Sequence, residues 1–130
     1  MLKSNDIPQA NKLNLIHMVA KDVNVELSDR KFNYYRNAVR MLGMSKDELR
    51  QCDADPKAQR ELYMAAIERS NVVATLLNHF KFKRAVHLLR FSKNDIAKVL
   101  MRYCADISEV TAERRALCVL RWIKQARDGF

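Results

Sequence analysis

The stretch SKNDIAKVLMRYCADISEVTAERRALCVLRWIKQAR, residues 92–127, decides the fold. It opens on Ser92-Lys93-Asn94-Asp95, an N-cap hydroxyl with a carboxylate three residues later, which predicts a helix start. Ile96, Ala97, Leu100 and Cys104 follow at spacings of three and four, the apolar stripe of a helix of about eleven residues. Ala105-Asp106-Ile107-Ser108 reads as a short turn. Ser108 then caps a second helix running from Glu109 to about Arg127 and ending at Gly129. At about 100° per residue, Ala112, Ala116, Val119, Ile123 and Ala126 fall on one narrow line. The two leading alanines let this helix lie close to its predecessor. Arg114, Cys118, Arg121 and Gln125 are expected to point the opposite way, with Thr111 and Arg115 on the flank. Helix, short turn, helix is the form expected here.

Working outward, Asp53-Ala54-Asp55-Pro56 is the strongest break, dividing the chain into an N-terminal helical region, 1–55, and a basic region, 56–130. Pro56 suits the first turn of a helix reaching about Ser70, with Leu62, Ala65, Ala66 and Ile67 inward. Asn71 is expected to cap the next helix, whose apolar residues are Val72, Val73, Leu76, Leu77 and Phe80. Residues 81–91 read equally as a short helix or a strand. In the first region, a helix over 9–21 gathers Leu13, Ile16, Val19 and Ala20, and Val23 to Leu27 is extended or turn-like. Ser28 caps a helix over about 29–42 with Phe32, Tyr35, Val39 and Leu42 inward, closed by Gly43. Ser45-Lys46-Asp47-Glu48 is a capping box for a short helix to about Gln51. Residues 12–42 therefore repeat the helix-connector-helix form of 92–127. One reading makes them a second helix-turn-helix, with Asn33, Asn37 and Arg40 opposite Phe32 and Val39 and Arg36 beside them. The other makes them a structural or dimerising element.

Composition agrees with an all-α fold. Two glycines and two prolines in 130 residues leave too few turn residues for many strands, and 48% apolar with 30% charged residues excludes collagen-like and disordered classes. The net charge of +9 is unevenly placed: residues 1–56 hold 9 basic and 8 acidic groups, residues 57–130 hold 15 and 7. A basic half-chain with a sequence pI near 9.7 is the footprint of a polyanion binder. The longest uncharged run, Ser70 to Phe80, is 11 residues, so no membrane span is expected, and the start of the chain has no signal-peptide pattern. Cys52, Cys104 and Cys118 lack disulfide or zinc spacing and read as reduced thiols of a cytoplasmic protein.

Asp95-Ile96-Ala97-Lys98-Val99-Leu100, Ile107 to Ala116 and Val119-Leu120-Arg121-Trp122-Ile123 resemble the winged helix-turn-helix module attached to restriction and homing endonucleases, here standing alone. The segment Asp29 to Ala38 followed by Leu42-Gly43-Met44 resembles what precedes that module, so the similarity spans about residues 28–127. It implies sequence-specific binding of double-stranded DNA, with Thr111, Arg114 and Arg115 at recognition-helix positions. Because the chain stops at Phe130, a β-wing is expected to be missing or reduced.

On this reading arginines reach guanine edges, Ser108 and Thr111 meet phosphate oxygens, and Lys93, Lys98 and Arg102 neutralise flanking phosphates. The expected function is transcriptional repression by a homodimer occupying an operator, without catalysis, cofactor, metal or small-molecule substrate. An accessory DNA-reading subunit and a protein-interaction bundle are the alternatives. No acidic run suits a nuclease metal site, since Asp53 and Asp55 read as turn residues and Glu61 and Glu68 as solvated helix charges. His17, His79 and His87 are scattered and read as packed rings. Cys118, expected outward, offers weak grounds for a redox switch. Trp122 is expected to anchor the last helix against residues 71–91.

Overall fold

Side-chain oxygens start most of the helices. In the computed structural model, which describes Met1 to Phe130, the helices are α1 (Leu13–Ala20), α2 (Asp29–Leu42), α3 (Lys46–Gln51), α4 (Pro56–Arg69), α5 (Asn71–Phe80), α6 (Lys93–Tyr103) and α7 (Glu109–Asp128). Two 3-10 turns, Ser4–Asp6 and Ala85–Arg90, complete the elements, and no strand is present. Ser28, Ser45, Ser92 and Ser108 each accept the N3 backbone N–H of their helix, and Ser45 and Ser92 form full capping boxes with Glu48 and Asp95. Asp55 accepts from the N–H groups of Lys57 and Ala58 ahead of α4, with Pro56 in the first turn. Each such cap stabilises its helix by about 1 kcal/mol. Gly43 closes α2 at φ +61°, a left-handed conformation that costs glycine nothing.

The long helix α7 is the axis of the packing. It lies against α6, α4, the second 3-10 turn and α1, while α2 packs on α1 and α4. A single core of 30 residues draws Leu2, Ile7, Leu13, Ile16, Tyr35 and Leu42 from residues 1–55, and Tyr63, Ile67, Leu76, Leu100, Trp122 and Ile123 from residues 56–130. The break at Asp55-Pro56 is thus a junction between helices and not a gap in the core.

Several local expectations are corrected. The first helix begins at Leu13, not residue 9, because residues 7–12 run extended along α7. The α7 side chains bond the backbone of this segment directly: Trp122 Nε1 and Cys118 Sγ donate to the Ala10 carbonyl at 2.6 and 3.0 Å, and Gln125 Nε2 to that of Asn11 at 2.6 Å. Gln125 Oε1 also accepts the first helical N–H of α1, from Leu13, at 3.0 Å. Trp122 is fully buried with its polar end on residue 10, so it anchors the N-terminal segment to α7.

Asn71 opens α5 rather than capping it; buried Ser70 precedes it and donates to the Ile67 carbonyl. Phe32 is 38% exposed and Ala65 exposed, while Ala38 and Tyr63 are buried in their stead. Residues 81–91 resolve as Lys81 in a left-handed C-cap and then the second 3-10 turn. No strand is present, and α7 is helical to Asp128. No helix is long and apolar enough to cross a membrane.

Candidate functional site

The N-terminal segment changes which side of α7 is open. Seven residues of α7 are buried, the five-residue apolar line together with Cys118 and Trp122, which lie about 80–120° around the helix from Ala112. Cys118 is therefore not outward. Its thiol is covered by residues 7–12, donates to Ala10, and is pushed up to about 12 by burial, so it stays protonated. A thiol held in that form is unreactive, which removes the basis for a redox switch.

Beside this covered strip, α7, the extended segment and the start of α2 enclose a cleft of about 450 Å³. Thr111, Arg114, Arg115, Cys118 and Arg121 come from α7, Arg30 and Tyr34 from α2, and Gln9 and Asn11 from the extended segment. Four guanidinium groups thus line one concavity with no carboxylate among its walls. None of the six ion pairs of the molecule includes any of the four. Arg114, Arg121 and Arg30 are exposed, and Arg115 is half-buried.

Two of these arginines are oriented by the protein itself. Arg115 Nη1 donates to the Ser4 carbonyl at 2.5 Å, and Arg30 Nε donates to the Tyr34 hydroxyl at 2.5 Å. A guanidinium carries five N–H donors, so both keep donors for a ligand. Ser108 Oγ, besides capping Thr111, donates to Thr111 Oγ1 at 2.9 Å, which leaves the threonine hydroxyl proton free to donate onward. The walls are therefore cationic and rich in donors, chemistry suited to phosphate or carboxylate oxygens.

The residues expected from sequence to act together separate into three groups. Thr111, Arg114, Arg115 and Arg121 line the cleft. Ser108 stands at the α7 N-terminus, and Lys93, Lys98 and Arg102 are exposed on α6, outside the cleft walls. The α2 set divides further. Asn33 and Arg36 are exposed, with the Arg36 guanidinium 6.0 Å from the Phe32 ring centre. Asn37 Nδ2 and Arg40 Nη2 instead donate to the Asn5 carbonyl at 3.1 and 3.3 Å, and Arg40 also donates to Asn37 Oδ1. Those two tie the first 3-10 turn to α2.

Arg30, Tyr34, Gln9 and Asn11 complete the walls, and the sequence does not single them out. Arg30 and Tyr34 share an i, i+4 face, and Gln9 and Asn11 alternate around Ala10 as in an extended segment, but neither signal points across the chain to α7.

The acidic residues read as solvated also have partners. Asp53 accepts from Lys21 Nζ at 2.5 Å and lies 3.3 Å from His17 Nε2, while His17 Nδ1 is 2.9 Å from the Tyr63 hydroxyl. Lys21 first and His17 second hold the Asp53 carboxyl below its ordinary value, and burial raises the Tyr63 phenol. Tyr63 is fully enclosed, so this chain of bonds joins α1, α4 and the 52–55 turn and meets no solvent cavity at the phenol. Glu68 accepts from Arg84 Nε and the Ala85 N–H, fixing the second 3-10 turn to α4. No group of three or more metal-ligating side chains is assembled. Compared with known proteins, the chain matches no family model, no curated protein and no solved structure.

Proposed function

We propose that this protein binds double-stranded DNA sequence-specifically through the open side of α7, with α6 and α7 acting as a helix-turn-helix, and represses transcription by occupying its site. The observation that carries the reading is the gathering of four arginines without carboxylate partners, three on one side of α7 and Arg30 facing them from α2, on a chain of net charge +9. Arg114 and Arg121 are exposed on the flank that residues 7–12 leave uncovered, where a base edge or a phosphate can reach them. Because α7 is buried on its far side along its whole length, docking presents the helix edge-on to the groove, from Thr111 to Arg121. Lys93, Lys98 and Arg102 on α6 are then free for flanking phosphates, each steepening the fall of log affinity with log salt by about one. A two-fold dimer on half-sites about one helical turn apart belongs to the same proposal, and light scattering with and without DNA tests it.

Titration of labelled duplexes, selected and random, at several salt concentrations tests the reading. A sequence-dependent affinity must survive extrapolation of the salt effect. Arg114→Ala is expected to weaken the selected duplex by about 1–3 kcal/mol and the random one much less. Equal loss on both assigns Arg114 to backbone contact. Absence of any duplex binding at low salt ends the proposal.

A further inference from the structure

The arginine cleft has a shape that DNA alone does not explain. The cleft runs roughly 15 Å along α7, from Thr111 to Arg121 at about 1.5 Å per residue, yet holds only about 450 Å³. Four guanidiniums, from Arg30, Arg114, Arg115 and Arg121, share that small volume. A ligand that balances the cleft concentrates its charge along a short chain of phosphates. The walls supply what such a chain needs: guanidinium forks from Arg30 on α2 and from Arg114 and Arg121 on α7, the Thr111 hydroxyl, and amides from Gln9 and Asn11, with no carboxylate to repel it. The volume also lies within the range of ordinary small-ligand pockets.

We infer that this cleft binds the phosphate chain of a small polyphosphate, either inorganic or carried on a nucleoside. The inference goes beyond the DNA reading and does not depend on it. Since Arg114 and Arg121 serve both, a bound polyphosphate competes with DNA and gives the protein a small-molecule control.

Calorimetric titration of the full chain with inorganic tripolyphosphate, and separately with ATP, at physiological ionic strength and without DNA, tests it. One ligand per chain is expected, unaffected by an equal ionic strength of sulfate. The pair Arg30→Gln with Arg121→Gln is expected to weaken binding by about tenfold or more, since each removes charge-assisted bonds to phosphate. Lys93→Gln with Lys98→Gln removes the same charge from α6 and is expected to leave affinity within about twofold. Should the cleft pair unfold by circular dichroism, Arg114→Gln is compared with the α6 pair instead.

Tighter binding of ATP than tripolyphosphate identifies a nucleotide as the source, and equal binding identifies the chain alone. No saturable binding above sulfate, or equal loss in the cleft and α6 variants, overturns the inference. Loss of duplex binding with polyphosphate binding intact removes only the DNA reading.

Discussion

The chain carries one local arrangement twice, and the two copies have opposite places in the molecule. In both, a shorter helix leads through a connector to a serine-capped longer helix: α1 to α2 by residues 21–28, and α6 to α7 by residues 104–108. The longer connector lets α2 swing to the outside, where three of its 14 residues are buried. The shorter one folds α6 tightly on α7, and seven of the 20 residues of α7 are buried. Cap, stripe and stop determine that a helix forms; what it packs against follows from bonds the local pattern does not contain. Here those bonds are the ones α7 makes to residues 4–13, which seat the N-terminal pair on the C-terminal one and wall the arginine cleft.

The largest expected effect comes from cutting that seat. Trp122→Ala empties a fully buried position and leaves the Ala10 carbonyl with the weaker Cys118 thiol as its donor. A loss of about 3–5 kcal/mol is expected, a large share of the stability of a domain this size. Urea denaturation followed by circular dichroism measures it. A loss below about 1 kcal/mol would mean that α7 does not hold the N-terminal pair, and the contrast between the two copies would fail.

A smaller effect sharpens the contrast by acting where α1 of the N-terminal pair meets α4. Tyr63→Phe removes the hydroxyl that partners His17 Nδ1 and leaves that half-buried nitrogen unpaired. About 1 kcal/mol is expected. Hydrogen exchange tells where it falls: amides of α1 should lose more protection than those of α6. Equal loss in both would show that the His17–Tyr63 bond supports the whole core and not one edge of it.

The same contrast explains what could be read from sequence. Caps at Ser28, Ser45, Ser92 and Ser108, the Pro56 start, the Gly43 stop and the apolar line of α7 are written in short-range patterns, and the helices follow them closely. The arginines of α7 were legible for the same reason, being on one helix. Cys118 and Gln125 were misread because a helical wheel sorts polar from apolar and has no means of knowing that a strip of backbone lies over the polar side. Arg30 and Tyr34 were invisible as site residues, because their meeting with Arg114 depends on packing across about eighty residues of chain. Asn37 and Arg40 present the converse case: residue types that read bases elsewhere bond a backbone carbonyl of their own chain here.

The smallest effect concerns acid. Asp22, Glu48 and Asp53 in the N-terminal region are held below their ordinary values, by Lys46, by the Ser45 cap and by Lys21 with His17, while Asp128, held by Arg127, is the one such group in the C-terminal region. A carboxyl with a depressed folded value stabilises the fold fully above its unfolded value and loses that contribution as pH falls through the folded one. For Asp53 the loss therefore begins below its ordinary 3.8 and is absent at neutral pH. Each of these groups is at the surface, where ion pairs contribute little, so the global stability curve bends only slightly. Their placement is what matters: with three of the four on one side, acid should loosen the N-terminal pair first. Hydrogen exchange at decreasing pH should show α1 amides losing protection before those of α7, with the gap narrowed by Asp53→Asn. Simultaneous loss in both pairs, unchanged in that variant, would mean the core ties through Trp122 and Gln125 bind the two copies too closely for their surface charges to tell them apart.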